Sequence, residues 1–399
     1  MIKKIPASAL RVGMFVHDLN TGWMSHPFVL SQFTVNNADK VARVLGAGIQ
    51  ELYIDTERGV DVEDAPSRAE VDAAIMSEIT EAVQTPLPAR VDVASELARA
   101  TRIKQQAATA IRNIMRDARL GRAIEVTQAE AVVDTINDSV LRNGGALIGL
   151  LGIKNKDEYT FLHSVSVCAL MVAFARAQGY DDDTVRIAGL GALLHDTGKM
   201  MVPEAILNKP GRYTDDEFFV MKHHPEEGWQ LLQSMSGLED MVLDIALHHH
   251  ERVDGTGYPH GLKGDEIATT TQMSSIVDVY DAITSNRCYH RGIPASEGLK
   301  KLWEWSSHHF DPRLVQAFIR TIGIYPVGSL VRLESGRLAI VMEQNEAQLV
   351  SPEVKVMYST RANAYVRPER LELARSQDRI VGHEDPQRWG IDTTRFLSV

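Results

Sequence analysis

Nine of the fourteen histidines of this chain lie between His163 and His290. They come in short clusters on segments that are otherwise apolar. The stretch LGALLHDTGKM ends an apolar helical run in His195-Asp196, followed by Thr197, Gly198 and Lys199. An adjacent His-Asp pair at a helix end can place an imidazole nitrogen and a carboxylate oxygen on one metal ion, and a carboxylate can bridge two. Nitrogen and oxygen donors together suit divalent Mn, Fe, Ni, Co or Zn. MKHHPEEG supplies His223 and His224. HHHERVDGTGYP supplies His248, His249 and His250 ahead of a glycine-rich turn that reads as neither helix nor strand. In SSIVDVYDAITSNRCYHRG, Asp278 and Asp281 stand at i and i+3 on a helix otherwise made of Ile, Val, Tyr and Ala. A bare carboxylate on such a face carries a heavy desolvation cost, so it needs a cation, and a metal is the simplest one. His163 shares its helix face with Val167, Leu170, Met171 and Phe174. Taken singly, each has a bland reading: a hydrogen-bonded core histidine, a chance dipeptide, a capping acid. Together, several helical segments each offering a His or an Asp describe a polynuclear metal site between helices.

The elements that must position these donors follow from periodicity. Residues 146–325 read as helical almost throughout, with short loops. Ahead of them, SELARATRIKQQAATAIRNIMRDARLG predicts a helix ending at Gly121, and TQAEAVVDTINDSVLRNGG a second one stopping at Gly144-Gly145. This pair is either a helical spacer or a helix pair that carries a signal or forms a dimer. Residues 1–60 read as a small α+β unit. RVGMFVHDL and IQELYIDT alternate as strands, and ADKVARVLGAG between them predicts a helix ending at Gly46 or Gly48. The acidic, proline-containing DVEDAPSRAEVD reads as a linker. From Tyr325 onward, GSLVRL, LAIVMEQ and EVKVMYS are short alternating strands around an SG turn.

Bulk properties exclude several classes. At 399 residues the prior is two or three domains, and 44% hydrophobic with 24% charged residues is ordinary globular composition. A net charge of −11 argues against a polymeric nucleic-acid partner, which needs a basic face. It leaves room for a small anionic ligand in a local cationic pocket. The two cysteines, Cys168 and Cys288, form no CxxC and no ligand spacing, which suits a reducing, cytoplasmic setting. The N-terminus lacks a signal-peptide pattern. The longest uncharged apolar run, Phe161 to Ala175, is too short to span a bilayer.

The order His163, HDTGK (195–199), KHHP (222–225), HHERVDGTGYP (249–259) and DVYDAITSNRCY (278–289) resembles the HD-GYP domain, a subgroup of the HD phosphohydrolases. LNKPGRYTDDE (207–217) also looks like that family's KPGxLTxxE stretch. IPASALRVGMFVHDL and ELYIDTERG resemble a small domain often found ahead of HD-GYP domains, and YPVGSLVRLESGRLAIVME resembles the tail that often follows. The middle of the chain is matched far more specifically than its ends.

The resemblance implies a mainly α protein. An all-helical HD-type metal-dependent phosphohydrolase domain would carry a small α+β N-terminal domain and a small β-rich C-terminal extension. The implied division is a regulatory domain at 1–65, a linker and helical spacer at 66–127, the catalytic domain at 128–325 and the extension at 326–399. The implied activity is hydrolysis of cyclic di-GMP to pGpG, with further cleavage to GMP left open. The implied metal positions are His163, His195, Asp196, His224, His249, His250 and Asp278, with Asp196 as the bridge between two divalent ions. Iron or manganese is the expected pair, while Ni, Co and Zn also suit the donors. A hydroxide between two metals would attack at neutral pH, because coordination lowers the pKa of water. Lys199 and Arg287 are expected on the phosphates, with Tyr258 and His290 also facing substrate; His290 stands where the family often has a basic residue. Glu251, Arg252 and Asp254 would brace the loop. Asp281 would orient a ligand histidine or act as a capping or salt-bridged acid. His223 and His248 fall off the motif. Some members carry a glutamate four residues before the first histidine. Tyr159 stands there instead, after Asp157 and Glu158, which implies a dinuclear site rather than a trinuclear one. Two alternatives stay open: a non-catalytic cyclic di-GMP sensor, and a phosphohydrolase for another cyclic dinucleotide. Homodimerisation, and protein partners at the N-terminal domain or the GYP loop, are compatible with this reading.

Overall fold

The computed structural model describes the chain except at 22–27, 29–31, 83–90, 123, 153–158, 210, 212, 286–291, 307, 346–347 and 398–399. Its N-terminal strands β1 (Ile2–Pro6), β2 (Phe15–Asp18), β3 (Phe33–Thr34) and β4 (Glu51–Asp55) form an antiparallel sheet in the order β1-β4-β2-β3. Helix α1 (Ala38–Gly46) begins where the Asn37 side chain accepts from the Lys40 amide, at 3.0 Å. Ile5, Met14, Val16, Val44, Leu52 and Ile54 make a core of their own beneath it. The first strand is one that the alternation pattern does not announce. Its lysines are consumed by contacts instead, Lys3 with Asp61 and Lys4 with Glu51 and Glu304.

Helices α2 (Arg68–Ala82), α3 (Val93–Arg119) and α4 (Val126–Leu151) follow. The end of α3 is as the sequence predicts: Gly121 takes a φ of +64°, which a glycine adopts without strain. The predicted stop of α4 at Gly144-Gly145 is corrected. The helix kinks at Asn143 and continues to Leu151. The Asn143 side chain caps the second segment by accepting from the Ala146 amide at 3.2 Å and donates to Val91 O at 2.7 Å. Both α3 and α4 bury apolar faces in the main helical core.

That core is completed by α5 (Tyr159–Ala177), α6 (Asp182–Leu194), α7 (Glu204–Leu207), α8 (Asp215–Met221), α9 (His224–Gln233), α10 (Asp240–His248), α11 (Thr269–Thr284), α12 (Ala295–Trp305) and α13 (Pro312–Ile322). Phe174 of α5 and Phe318 of α13 are wholly buried with ring centroids 5.4 Å apart. Each such burial contributes about 2–3 kcal/mol. No helix among the described residues is long and apolar enough to cross a membrane.

Strands β5 (Leu330–Leu333), β6 (Arg337–Glu343), β7 (Glu353–Ser359), β8 (Ala364–Glu372) and β9 (Ile380–His383) form an antiparallel sheet in the order β8-β7-β6-β5-β9. Alternation splits its residues. Leu330, Leu338, Ile340 and Met357 join the helical core, while Val331, Leu333, Ala339, Val341 and Val356 make a separate cluster on the other face. The architecture is therefore mainly helical, with an α+β N-terminal region and a β-rich C-terminal one, as the sequence predicts.

Candidate metal centre

Five helices and a 3-10 turn deliver the donors. His195 is the C-cap of α6, and Asp196 opens the short 3-10 turn Thr197–Met201. His163 lies in the second turn of α5, His224 begins α9, His249 and His250 follow the end of α10, and Asp278 sits in α11. Gly198 lets two of these segments meet. A Cβ there would stand 1.9 Å from the His224 carbonyl oxygen and 2.4 Å from the Gly228 nitrogen, so only glycine fits.

Backbone and carboxylate acceptors fix the imidazoles. His195 Nδ1 lies 2.7 Å from Ala192 O, His224 Nδ1 2.8 Å from Met221 O, and His249 Nδ1 3.0 Å from Ala246 O. His163 Nδ1 lies 2.7 Å from Asp281 Oδ2. These oxygens only accept, so each ring donates from Nδ1 and turns Nε2 inward. Of the two readings of Asp281, the orienting one matches this contact.

The inward atoms gather around Asp196. Its Oδ2 is 3.6 Å from His163 Nε2 and 3.4 Å from His195 Nε2. Its Oδ1 is 3.4 Å from His224 Nε2 and 3.8 Å from His249 Nε2. Asp278 Oδ1 stands 3.0 Å from His163 Nε2 and 3.7 Å from His195 Nε2. Among the described residues three donor groups result: His163 with His195 and Asp278, His224 with His249 and His250, and His195 with Asp196 and His249. The donor atoms of each lie within 4.8 Å of one another. His195 Nε2, Asp196 Oδ1 and His250 Nε2 are buried without a hydrogen-bond partner. Such buried atoms cost free energy unless a cation meets them. The residues present thus fit divalent metal ions, and Asp196 stands between two donor groups.

Electrostatics follows from burial and crowding. Burial opposes charge on His195, but the carboxylates of Asp196 and Asp278 outweigh it and raise its pKa to about 10. Burial opposes ionisation of Asp196 as well. His195 and Lys199 overcome it and hold the carboxyl well below its usual range. Asp278 behaves likewise through His163 and His195. Burial, then neighbouring imidazoles, push His249 and His250 well below the ordinary histidine range. Without a metal, then, His195 carries the compensating positive charge, and His249 and His250 are neutral donors.

The loop after the histidines is tightly built. Glu251 is buried and its carboxylate accepts from the amides of His260, Gly261 and Leu262 at 2.7, 3.0 and 3.1 Å. Asp254 accepts from the amide and hydroxyl of Thr256. Arg252 reaches Thr256 Oγ1 at 3.5 Å. A Cβ on Gly257 would stand 2.4 Å from Glu251 Cα, so the return of the loop needs glycine there. The Tyr258 ring stacks on His250 at 4.7 Å and 29°. Its hydroxyl is buried without a hydrogen-bond partner. Burial, then Asp278, push that phenol well above its usual pKa, so it remains a donor. Lys199 Nζ lies 2.5 Å from Asp196 Oδ2. Sequence reasoning passed over Lys222, whose ammonium is 6.0 Å from the Tyr258 ring centroid; its place in KHHP was the only signal. His223 bonds to Phe219 O, and His248 turns to Asp244, so neither points at the centre. Arg287, His290, Asp157 and Glu158 lie outside the described residues, and so does the Tyr159 side chain.

Residues 152–314 match the HD domain model, and residues 2–129 match a domain of unknown function (DUF3391). A cyclic di-GMP phosphodiesterase of Pseudomonas aeruginosa is 44% identical over 392 residues, 98% of this chain and 94% of that protein. A cyclic di-GMP phosphodiesterase response regulator of Xanthomonas campestris pv. campestris is 40% identical over 164 residues, 40% of this chain and 42% of that one. A 3'3'-cGAMP-specific phosphodiesterase of Vibrio cholerae is 32% identical over 166 residues, 41% of this chain and 38% of that one. With the near full-length match and the HD motifs gathered in one buried centre, the chain belongs to the HD-GYP family of phosphodiesterases.

Proposed function

We infer that this chain is a metal-dependent phosphodiesterase that opens cyclic di-GMP to pGpG. The observation that carries the reading is the convergence of six donor side chains around Asp196, with the buried His195 Nε2, His250 Nε2 and Asp196 Oδ1 lacking a hydrogen-bond partner. His163, His195 and Asp278 would hold one divalent ion; His224, His249 and His250 would hold a second; Asp196 would touch both. Bound there, two such ions would supply Lewis acidity toward the phosphate oxygens and a water nucleophile at neutral pH. Iron and manganese are the pair we propose, and the tyrosine at position 159 favours two ions over three.

The chain's own groups do the rest. Lys199 would exchange Asp196 for a phosphate oxygen once cations occupy the centre, offsetting charge as the transition state forms. The neutral Tyr258 phenol would donate to a phosphate oxygen or pack on the ligand. Arg287 would grip a phosphate bidentately and His290 would sit beside it. As water adds to phosphorus, the bond to the 3′ oxygen breaks and that oxygen leaves with a proton, giving a 5′-phosphorylated linear product.

The division at 1–65, 66–127, 128–325 and 326–399 belongs to the same proposal, with the first part regulatory. A cytoplasmic location, a homodimer and a protein partner at the N-terminal domain or the GYP loop complete it. The test is anaerobic incubation of Mn- or Fe(II)-loaded protein with cyclic di-GMP, with a His195→Ala/Asp196→Ala variant as control. Metal-dependent pGpG absent in the variant supports the reading. Ligand binding without turnover by either metal form sinks it and leaves a sensor. The similarity to the Vibrio cholerae 3'3'-cGAMP enzyme favours running that cyclic dinucleotide alongside. Preferential turnover of it would move the substrate assignment while keeping the centre.

A further inference from the structure

The loop that returns from the histidine pair to Tyr258 is gripped on two sides. The Glu251 carboxylate holds it from within. From outside it meets the N-terminal region by two routes. The first runs through the end of α12. The Trp305 indole donates to Asn20 Oδ1 at 3.1 Å, and both residues are buried. The Trp305 carbonyl accepts the His309 amide at 2.7 Å, and the His309 carbonyl accepts the Val253 amide at 3.2 Å. Val253 comes soon after His250, whose own carbonyl accepts the Tyr258 amide at 3.2 Å. The second route is direct. A Cβ on Gly48 would lie 3.6 Å from Thr256 Cγ2, so Gly48 faces the Thr256 methyl across a gap that one methyl group fills. Asn20 is itself well fixed. Its φ of +48° lies in the left-handed region, which Asn tolerates better than most residues. Its amide donates to Asp18 Oδ1 at 3.0 Å, while Asp18 Oδ2 meets Lys301 of α12 at 3.0 Å.

We propose that the N-terminal sheet positions the loop that carries Tyr258, with Asn20 and Trp305 as the positioning residues and Gly48 as a backstop. The proposal rests on the reading of that loop as the part that meets cyclic di-GMP. It gives the region matched to a domain of unknown function a part in substrate binding, apart from the chemistry at the metals. His195, His224 and His249 are held by Ala192, Met221 and Ala246, none of which lies on this path. Loosening the path therefore frees the loop and leaves the donors in place.

Asn20→Gly keeps the left-handed backbone without strain and removes the acceptor, while Trp305→Phe keeps a buried ring and removes the donor. Hydrogen–deuterium exchange of the full chain, read by mass spectrometry, follows the peptide covering 252–258. Exchange there should rise about three- to tenfold in either variant, as for one lost buried hydrogen bond. The double variant should rise no further, since both changes cut the same bond. Gly48→Asn accepts the φ of +73° and sets a side chain against Thr256, so it should raise exchange of the same peptide. KM for cyclic di-GMP should rise by a similar factor in each, with kcat and bound manganese per chain unchanged. Unchanged exchange at 252–258 in Asn20→Gly and Trp305→Phe overturns the proposal, and unchanged exchange in Gly48→Asn overturns the backstop. Raised exchange with an unchanged KM overturns the part in substrate binding. A joint loss of kcat and bound metal overturns it too, by making the contact a general support of the fold. Wild-type exchange in α5 and α6 establishes that the variants are folded. The exchange arm needs no turnover, so a wild type that leaves cyclic di-GMP intact sinks the assigned substrate and still tests the positioning.

Discussion

Glu304 and Asp196 are both carboxylates removed almost entirely from water, with side chains 5% and 2% exposed, and they are met differently. Glu304, in α12, receives the Lys4 ammonium at 2.7 Å and the Tyr53 hydroxyl at 2.9 Å, both from the N-terminal sheet. Lys4 is met in turn by Glu51 at 2.6 Å. That cluster is closed by the protein's own groups, and it fastens one part of the chain to another. Asp196 also receives an ammonium, Lys199 at 2.5 Å on Oδ2, but imidazoles turn their Nε2 atoms toward it and its Oδ1 has no hydrogen-bond partner. A buried polar cluster that closes on itself is architecture. One that turns several lone pairs on the same space is built for something that arrives later.

The contrast can be broken by substitution. Asp196→Asn keeps the shape of the centre and removes the anion between the donor groups. Hydrolysis of cyclic di-GMP should fall at least about a thousandfold, since a metal contributes several kcal/mol. Far-ultraviolet circular dichroism should be unchanged, and an active, metal-replete variant would refute the assignment. Asp281→Asn acts one layer out, through His163, and should weaken metal binding about 10–100-fold in a chelator competition. On the closed side, Glu304→Gln should lower the unfolding free energy by about 2 kcal/mol, because it strips a charged acceptor from Lys4. Urea denaturation reads this, while kcat of the folded protein should stay as it was. A large loss of kcat there would erase the distinction between the two clusters.

Two smaller effects sharpen it. Tyr258→Phe removes a buried hydroxyl that the protein does not satisfy, so it should lower kcat/KM about tenfold without lowering the melting temperature. A stability loss instead would place that hydroxyl in the architecture. Asp18 belongs to the closed side, pairing with Lys301 at 3.0 Å. Burial opposes its ionisation, yet Lys301 and the Asn20 amide bring its pKa below the ordinary value. A depressed carboxylate stabilises the fold above its unfolded pKa of about 4, and that contribution disappears as pH falls through the folded value. Asp18→Asn should therefore flatten the loss of stability below about pH 4 by less than about 1 kcal/mol. Equal pH profiles for variant and wild type would mean that the pair does not stabilise the fold.

Much of the centre is legible in the sequence because its chemistry is local. HDTGK, KHHP, the HH pair and Asp278 each carry donors on apolar segments, where the cost of burying them bare leaves a cation as the simplest reason for their presence. What is not local is not legible. Asp281 and His163 are 118 positions apart, and only the packing of α11 on α5 makes one the orienter of the other. The fold follows the same rule. Strands with one or two buried faces announce themselves, as in LAIVM. β1 does not, since its lysines serve contacts beyond the strand, nor does β8, which is exposed along most of its length. The glycine pair in α4 looks like a stop, but Asn143 caps a new helical segment just before it, and Gly145 and Gly149 are needed where Val327 presses on the helix.

Gly198 gives the centre a property beyond what the donors alone confer. The turn carrying Asp196 and the start of α9 carrying His224 meet backbone to backbone, closer than any side chain permits. A gap set this way behaves like a caliper with a fixed jaw. Side-chain donors can swing to follow a larger ion, but two main chains in contact cannot separate without unpacking a helix. The spacing of the two donor-bearing segments is thus set by main chain, and a side chain at position 198 would displace Asp196 and His224 relative to each other rather than disturb one donor alone.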